Sequence, residues 1–321
     1  MTKSVTILSI LFFFSPVYRP SPPPVLFAPG IVSTMDDEFG CTFTPDGKTC
    51  YFCLKSPSTL SSSVVVICTS SFREGHWTSP EVVPFSGHFK DFNPSVSPDG
   101  SKLFFISNRP VDGKKKTDTD IWLVERTSNG WGEPKNPGPP VNTPGYELGC
   151  SVAANGTLYF SSTGKDGNLN IYSAKFNNGK YDTPEPLPET VNTINSETDP
   201  FIAPDESYII FSSQGRDDAL KGTGADAEYP RADLYISFRK NGAWSTAVNL
   251  GPEINSTAEE STPWVSADGK TLYYTSERNF IAIPMPVRMN YDYLENHLHT
   301  TGNGLGDIFQ VPMEQVMQLQ K

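Results

Sequence analysis

Asp91-Phe92-Asn93-Pro94-Ser95-Val96-Ser97-Pro98-Asp99-Gly100-Ser101-Lys102-Leu103-Phe104-Phe105-Ile106-Ser107-Asn108-Arg109 opens on an acid, closes on a base and turns back on itself at Ser-Pro-Asp-Gly. Proline presets a negative φ, aspartate bonds the local backbone, and glycine accepts the φ that other residues avoid. The flanking residues are aromatic, β-branched or alternating, so the stretch predicts a β-hairpin.

Four more copies follow the same plan. They run from Glu38 to Pro45-Asp46-Gly47 and Tyr51-Phe52, from Glu147 to Asn155-Gly156 and Leu158-Tyr159-Phe160, from Glu197 to Pro204-Asp205-Glu206 and Ile209-Ile210-Phe211, and from Glu260 to Asp268-Gly269 and Leu272-Tyr273-Tyr274. In every copy the acid stands eight positions before the turn Asp or Asn, so the register is shared. Self-similarity at such a period marks a repeat architecture. A third apolar segment follows each hairpin: Ser63 to Cys68, Asp120 to Val124, Asn170 to Ser173, Asp233 to Ser237 and Asp307 to Val311. A Gly-x-Trp-like turn (Gly75-His76-Trp77, Gly130-Trp131, Gly242-Ala243-Trp244, with Gly179-Lys180-Tyr181 as a variant) then precedes a fourth strand. Four antiparallel strands per unit, repeated about an axis, predict an all-β chain folded as a β-propeller.

The fifth unit runs out of chain before its fourth strand. Val25-Leu26-Phe27-Ala28-Pro29-Gly30-Ile31-Val32-Ser33-Thr34 resembles the fourth-strand segment Val248 to Thr257 and is expected to supply it. Such closure removes an exposed sheet edge. The expected organisation is a leader and Pro-rich segment over 1–24, then one five-bladed domain over 25–321.

Composition agrees: 321 residues, 37% hydrophobic and 12% aromatic, with 29 Pro and 25 Gly, suit a turn-rich all-β chain. The net charge of −11 argues against nucleic acid or an anionic membrane surface as partner. A basic peptide, a cation or an uncharged ligand fits better. Lys3 followed by the apolar run Val5 to Phe14 has the form of a secretory signal and is too short to span a bilayer comfortably, so a periplasmic or extracellular location is expected. Of the five cysteines, Cys50 and Cys53 have C-x-x-C spacing, but on a strand they point to opposite faces, which suits neither a metal knuckle nor a redox pair.

Asn93 to Gly100 together with Asp120-Ile121-Trp122 resembles the PD40, or WD40-like, repeat of TolB-type propellers. That resemblance covers nearly the whole chain after the leader. It implies a propeller that binds other molecules, usually in the bacterial periplasm, and TolB itself is a partner of the Tol-Pal envelope system. TolB-type propellers have six blades, the alternative count here, and TolB carries a separate N-terminal α/β domain for which this chain has no room.

In an antiparallel blade, the start of strand one, the end of strand two and the start of strand three share a rim. Each blade offers that rim an acid (Glu38, Asp91, Glu147, Glu197, Glu260) and a base (Lys55, Arg109, Lys165, Arg216, Arg278). One function for such a ring is binding at the channel mouth, including Ca²⁺ or another divalent cation. Another is acid–base work on a sugar, with Glu147, Glu197 and Glu260 as the catalytic candidates. A residue needed for chemistry appears once or twice, whereas one present in every blade points to blade building, with each acid paired to a neighbouring base. There is no Gly-x-Ser-x-Gly elbow, phosphate-cradling glycine loop or His-Glu-x-x-His. His297 and His299 share a loop with metal-compatible spacing but supply only two ligands.

The blades differ in the connection from strand two to strand three. Blade four inserts Gln214 to Ala232 and blade five inserts Asn279 to Gly306, which carries Phe280, Met285, Met289, Tyr291 and Tyr293. Loops on a rigid scaffold carry binding residues. Lys114-Lys115-Lys116 in blade two reads as a solvated charge run. The expectation is a monomeric, non-enzymatic exported propeller that recognises a protein, peptide or glycan on this rim through the ring acids, Arg109, Arg216, Arg278, Tyr291 and Tyr293. A carboxylate-dependent glycan hydrolase or metal-dependent hydrolase is the alternative.

Overall fold

The five hairpins form where the repeats place them, in a computed structural model that describes residues 22–56, 63–165, 167–221, 231–280 and 288–320. Asp37–Phe43 pairs with Thr49–Lys55, Asp91–Val96 with Lys102–Ser107, Glu147–Val152 with Leu158–Thr163, Ser196–Ile202 with Tyr208–Gln214, and Glu260–Val265 with Thr271–Ser276. The turn chemistry is visible at Ser97 to Gly100. Asp99 Oδ1 accepts from Ser97 Oγ at 2.6 Å and from Ser101 N at 3.0 Å, and Gly100 takes a φ of 70°.

Third strands follow at Val65–Arg73, Asp120–Thr127, Leu169–Ala174, Ala232–Lys240 and Asp307–Pro312. The fourth strands are short: Glu81–Val82, Glu185–Pro186 and Val248–Asn249, with a single bridge from Lys135 to Leu123 in blade two. In blade five, Val25 and Leu26 pair with Gln310 and Phe309, so the N-terminal strand closes the ring. Only these two residues of the expected closing segment are strand, although Phe27 N continues the bonding to Ile308 O at 2.8 Å. The result is the propeller that the PD40 resemblance implies, with the five blades counted from the repeats.

The recurring Val-Asn-Thr and Ile-Asn-Ser segments have a mechanical reason. Asn142 brackets Ile121 of its own third strand, taking its N–H at 2.9 Å and donating to its carbonyl at 2.9 Å. Asn192 does the same to Ile171 and Asn255 to Leu234. Ser33 brackets Ile308 in the closing blade.

The core lies between blades. Cys53 and Ile67 of blade one pack with Leu103 and Phe105 of blade two, while Cys50 faces the other way into a cluster with Phe27, Val32 and Phe43. The two cysteines therefore occupy opposite faces as strand alternation predicts, and all five cysteines are free and buried. Burying a side chain such as Phe105 contributes roughly 1.5–3 kcal/mol, so these inter-blade seams hold the ring shut.

Two short helices accompany the strands of this all-β fold. Part of the blade-five insertion is an α-helix, Tyr291–Leu298, started by Asn290, whose side chain accepts from Tyr293 N at 2.8 Å. A second, Met313–Met317, follows the last strand and buries Met313 and Val316. Among the described residues no helix is long and apolar enough to cross a membrane. The apolar run Val5 to Phe14, Met285, and residues 222–230 of the blade-four insertion lie outside the described residues.

Candidate functional site

Each first strand is entered from an inter-blade link, so its acid meets a hydroxyl of that link, four residues earlier in every blade but the second. Glu38 accepts from Thr34 Oγ1 at 2.5 Å and Thr34 N at 2.9 Å. Glu147 accepts from Thr143 Oγ1 at 2.7 Å, Glu197 from Thr193 Oγ1 at 2.7 Å and Glu260 from Ser256 Oγ at 2.6 Å. A strand-two hydroxyl adds a further donor: Ser162 to Glu147 at 3.0 Å, Ser213 to Glu197 at 2.9 Å and Ser276 to Glu260 at 2.6 Å. Asp91, one methylene shorter, takes Ser86 Oγ at 2.9 Å. Solvent reaches at most 2% of any of the five.

Three of the expected acid–base pairs form: Arg109 with Asp91 at 2.7 Å, Arg216 with Glu197 at 3.1 Å and Arg278 with Glu260 at 3.3 Å. Each guanidinium also donates to a backbone carbonyl of the preceding link (Phe85, Val191, Ile254) and lies over an aromatic ring. A planar five-donor fork does this and an ammonium does not. The two lysines behave differently. Lys55 pairs with Asp37 at 2.8 Å instead of Glu38, and Lys165 is exposed. Burial pushes Glu38 and Glu147, which have no guanidinium beside them, up to about 7, and raises Glu260 as well, with Arg278 among the groups opposing that rise. Glu147 Oε2 has no hydrogen-bond partner among the described residues. Lys116, in the expected charge run, is engaged by Asp120 and by Asp118 at 3.4 Å.

Just past the acids every first strand slips register against its second strand, between Phe39 and Thr42, Phe92 and Ser95, Glu147 and Cys150, Thr198 and Phe201, and Ser261 and Trp264. A bulge re-aims the side chains at its centre. The residues two positions after the acids are Gly40, Asn93, Gly149, Asp199 and Thr262, and together they line a central cavity of about 30 Å³. Asn93, Asp199 and Thr262 hold φ values of 49°, 52° and 48°, a conformation that costs a β-branched residue such as Thr262 the most.

Asn93 Nδ2 donates to Asp199 Oδ1 at 2.8 Å, joining blades two and four. The glycines make room for this contact. A Cβ on Gly149 would stand 2.4 Å from Asp199 Oδ1, and one on Gly40 would stand 3.1 Å from Asn93 Oδ1. Thr262 Oγ1 accepts from Gly40 N at 3.2 Å, and Asp199 N donates to Ser161 Oγ at 3.1 Å. Asn93 Oδ1 is buried without a hydrogen-bond partner among the described residues.

Burial, and next to it the charge of Glu259, raises Asp199 to about 6 against hydrogen bonds that lower it. Part of its surface still meets solvent while most of its surroundings are protein. Asp199 is thus a carboxyl that changes charge near neutral pH. Burial raises Glu277 as well, followed by the charges of Glu259 and Asp37, with Arg231 and Lys55 opposing them. Among the described residues no group of three His, Cys, Asp or Glu side chains has the geometry to hold a metal ion. His297 lies in the blade-five helix and His299 caps it. Tyr291 and Tyr293 stand on the same helix, 74% and 47% exposed.

Sequence reasoning thus found the buried acids and missed the residues two positions on. The available signal was the position two past each acid, which holds Gly, Asn, Gly, Asp and Thr in the shared register.

No protein-family model and no curated protein matches the chain. Solved structures share its fold. A glycoside hydrolase superposes with a TM-score of 0.55 at 8% identity, covering 92% of this chain and 91% of that one. The catalytic domain of an α-L-arabinofuranosidase from Coprinopsis cinerea gives 0.52 at 9% identity, covering 91% and 97%. A protein of Agrobacterium tumefaciens assigned as TolB gives 0.47 at 17% identity, covering 86% and 90%. At these identities the likeness speaks for the fold alone.

Proposed function

We propose that this chain is an exported, non-enzymatic binding propeller that holds a cationic polypeptide segment on its loop rim beside blade five. The observation that carries this reading is the helix Tyr291–Leu298, which buries none of its residues while presenting Tyr291, Tyr293, Leu294 and Leu298 to solvent. Tyrosine offers a large, stiff contact face with a polar edge, the chemistry of recognition surfaces. The positive charge expected of the partner follows from the net charge of −11 and from Asp37, Glu259 and Glu277 on blades one and five, which outnumber Lys55 and Arg231 beside them. Export is supported by the apolar run Val5 to Phe14. The ring acids support a binding scaffold over a catalyst, because each is buried and held by donors of its own link.

A carboxylate-dependent glycan hydrolase is the second reading, and Asp199, a part-protonated carboxyl in the channel, is the group that favours it. One experiment addresses both. The intact protein is titrated with an array of basic, neutral and acidic peptides rich in aromatic residues and is also screened for turnover of a glycan panel. The expected result is binding of basic peptides, weakened at least tenfold in Tyr291→Ala and Tyr293→Ala, with no turnover. Turnover that disappears in Asp199→Asn replaces the binding reading with the hydrolytic one, and peptide binding indifferent to both tyrosines moves the contact off the helix.

A further inference from the structure

The opposite rim, where the Pro-Asp-Gly turns lie, contains a gap that only a comparison of the five blade seams reveals. The strand-two residues Tyr51, Phe104, Tyr159, Ile210 and Tyr273 occupy equivalent register positions, each opposite the residue four past the acid. At four of the seams something large covers that residue. Trp131 lies against Tyr51 and donates Nε1–H to its hydroxyl at 2.9 Å. Trp244 packs edge-on to Tyr159, whose hydroxyl is held by Glu206 at 2.7 Å. Phe27 bridges Trp77 and Tyr273, at 5.3 and 5.2 Å between ring centroids. Met313 and Val316 of the C-terminal helix share the cluster of Ile210.

At the seam between blades two and three, the Gly-x-Trp position is Gly179-Lys180-Tyr181, whose smaller ring packs against the cluster of Phe104 and leaves beside it a cavity of about 310 Å³ that Phe104 helps to line. One wall is the hairpin pair Phe176 and Tyr181, with ring centroids 4.9 Å apart. Phe176 is 36% exposed. The other wall brings Asp99 and Lys102 from blade two, with the Lys102 ammonium 5.0 Å from the centre of the Phe176 ring. Lys102 Nζ and the Tyr181 hydroxyl carry no hydrogen bond among the described residues. Three donors of the turn converge on Asp99 Oδ1, whereas Oδ2 takes one, from Ser101 Oγ, and keeps acceptor capacity.

We infer that this seam is a binding slot for a neutral pyranose residue of a glycan. A volume of this size is at the lower end of ligand pockets. The lining balances one carboxylate against one ammonium, so it offers no net charge for an anion or a cation to answer. Aromatic faces suit the C–H face of a sugar ring, and unspent donors beside a carboxylate oxygen suit its hydroxyls. The slot lies on the rim away from the helix Tyr291–Leu298 and does not depend on the polypeptide contact proposed there.

The test uses the intact protein and saturation-transfer NMR titration with methyl pyranosides and their short oligomers, neutral and N-acetylated, alongside uronic acids and a tyrosine-containing tripeptide. The expected result is binding of a neutral saccharide in preference to both comparators. Tyr181→Trp, which restores the side chain present at other seams, is expected to lower that affinity at least tenfold while leaving the melting temperature unchanged or higher. Phe176→Ala, at an exposed position, is expected to lower it similarly should the first variant fold poorly, and Tyr291→Ala is expected to leave it unchanged. Absence of saccharide binding by the folded protein, preference for the uronic acids or the peptide, or binding that survives Phe176→Ala and a folded Tyr181→Trp overturns the inference.

Discussion

Replacing Glu147 by glutamine is expected to change stability in a pH-dependent way. Glu147 is fully buried, receives Thr143 N, Thr143 Oγ1 and Ser162 Oγ on a single oxygen, and has no basic partner among the described residues. Its pKa is raised from 4.5 to about 7, chiefly by burial. That difference corresponds to about 3 kcal/mol of added cost for the charged form. Because the folded value lies above the unfolded one, the folded state binds the proton more tightly. The contribution is fully present below pH 4.5 and is lost as pH rises through about 7. The amide of Glu147→Gln keeps the acceptor oxygen and never ionises. At pH 4 the variant and the parent are expected to differ little. By about pH 8.5 the variant gains up to about 3 kcal/mol on the parent, a melting-temperature swing of roughly 5 °C or more for a chain of this size. Differential scanning fluorimetry of both proteins across this range measures the swing directly. A melting-temperature difference that is flat with pH, or that moves in favour of the parent as pH rises, refutes the reasoning.

Truncation to start at Met35 removes the strand that pairs Val25 and Leu26 with Gln310 and Phe309, along with Phe27 and Ser33. The open edge is expected to lower the melting temperature and produce concentration-dependent association in light scattering; a stable monomer counts against closure by this strand. Gly149→Ala places a methyl 2.4 Å from Asp199 Oδ1 and 2.7 Å from its Cα, so a loss of about 1–3 kcal/mol is expected from overpacking. Adding Asp199→Gly is expected to recover part of it in chemical denaturation, and no recovery means that the strain lies elsewhere.

The sequence by itself determined what depends on local chemistry repeated at a fixed spacing. Pro-Asp-Gly turns, alternating strands and an acid eight residues upstream define a blade within some fifty residues, and their fivefold recurrence counts the blades. Closure was legible too, because the N-terminal segment copies Val248 to Thr257. The pairing of Asp91, Glu197 and Glu260 with arginine followed from the same register. Tertiary structure decided what depends on distant neighbours. A bulge adds one residue to a strand and reverses which side chain reaches the axis, so Asn93 and Asp199 meet across the ring while the acids turn inward to their links. Lys55 prefers Asp37 because an ammonium lacks the fork that reaches a carboxylate and a carbonyl together. The helix at Tyr291 depends on the cap from Asn290, a signal masked by the aromatic spacing that suggested a contact loop. The open seam at Tyr181 exists only by contrast with what fills the other four, since a smaller ring in one repeat becomes a cavity only when the neighbouring blade is in place.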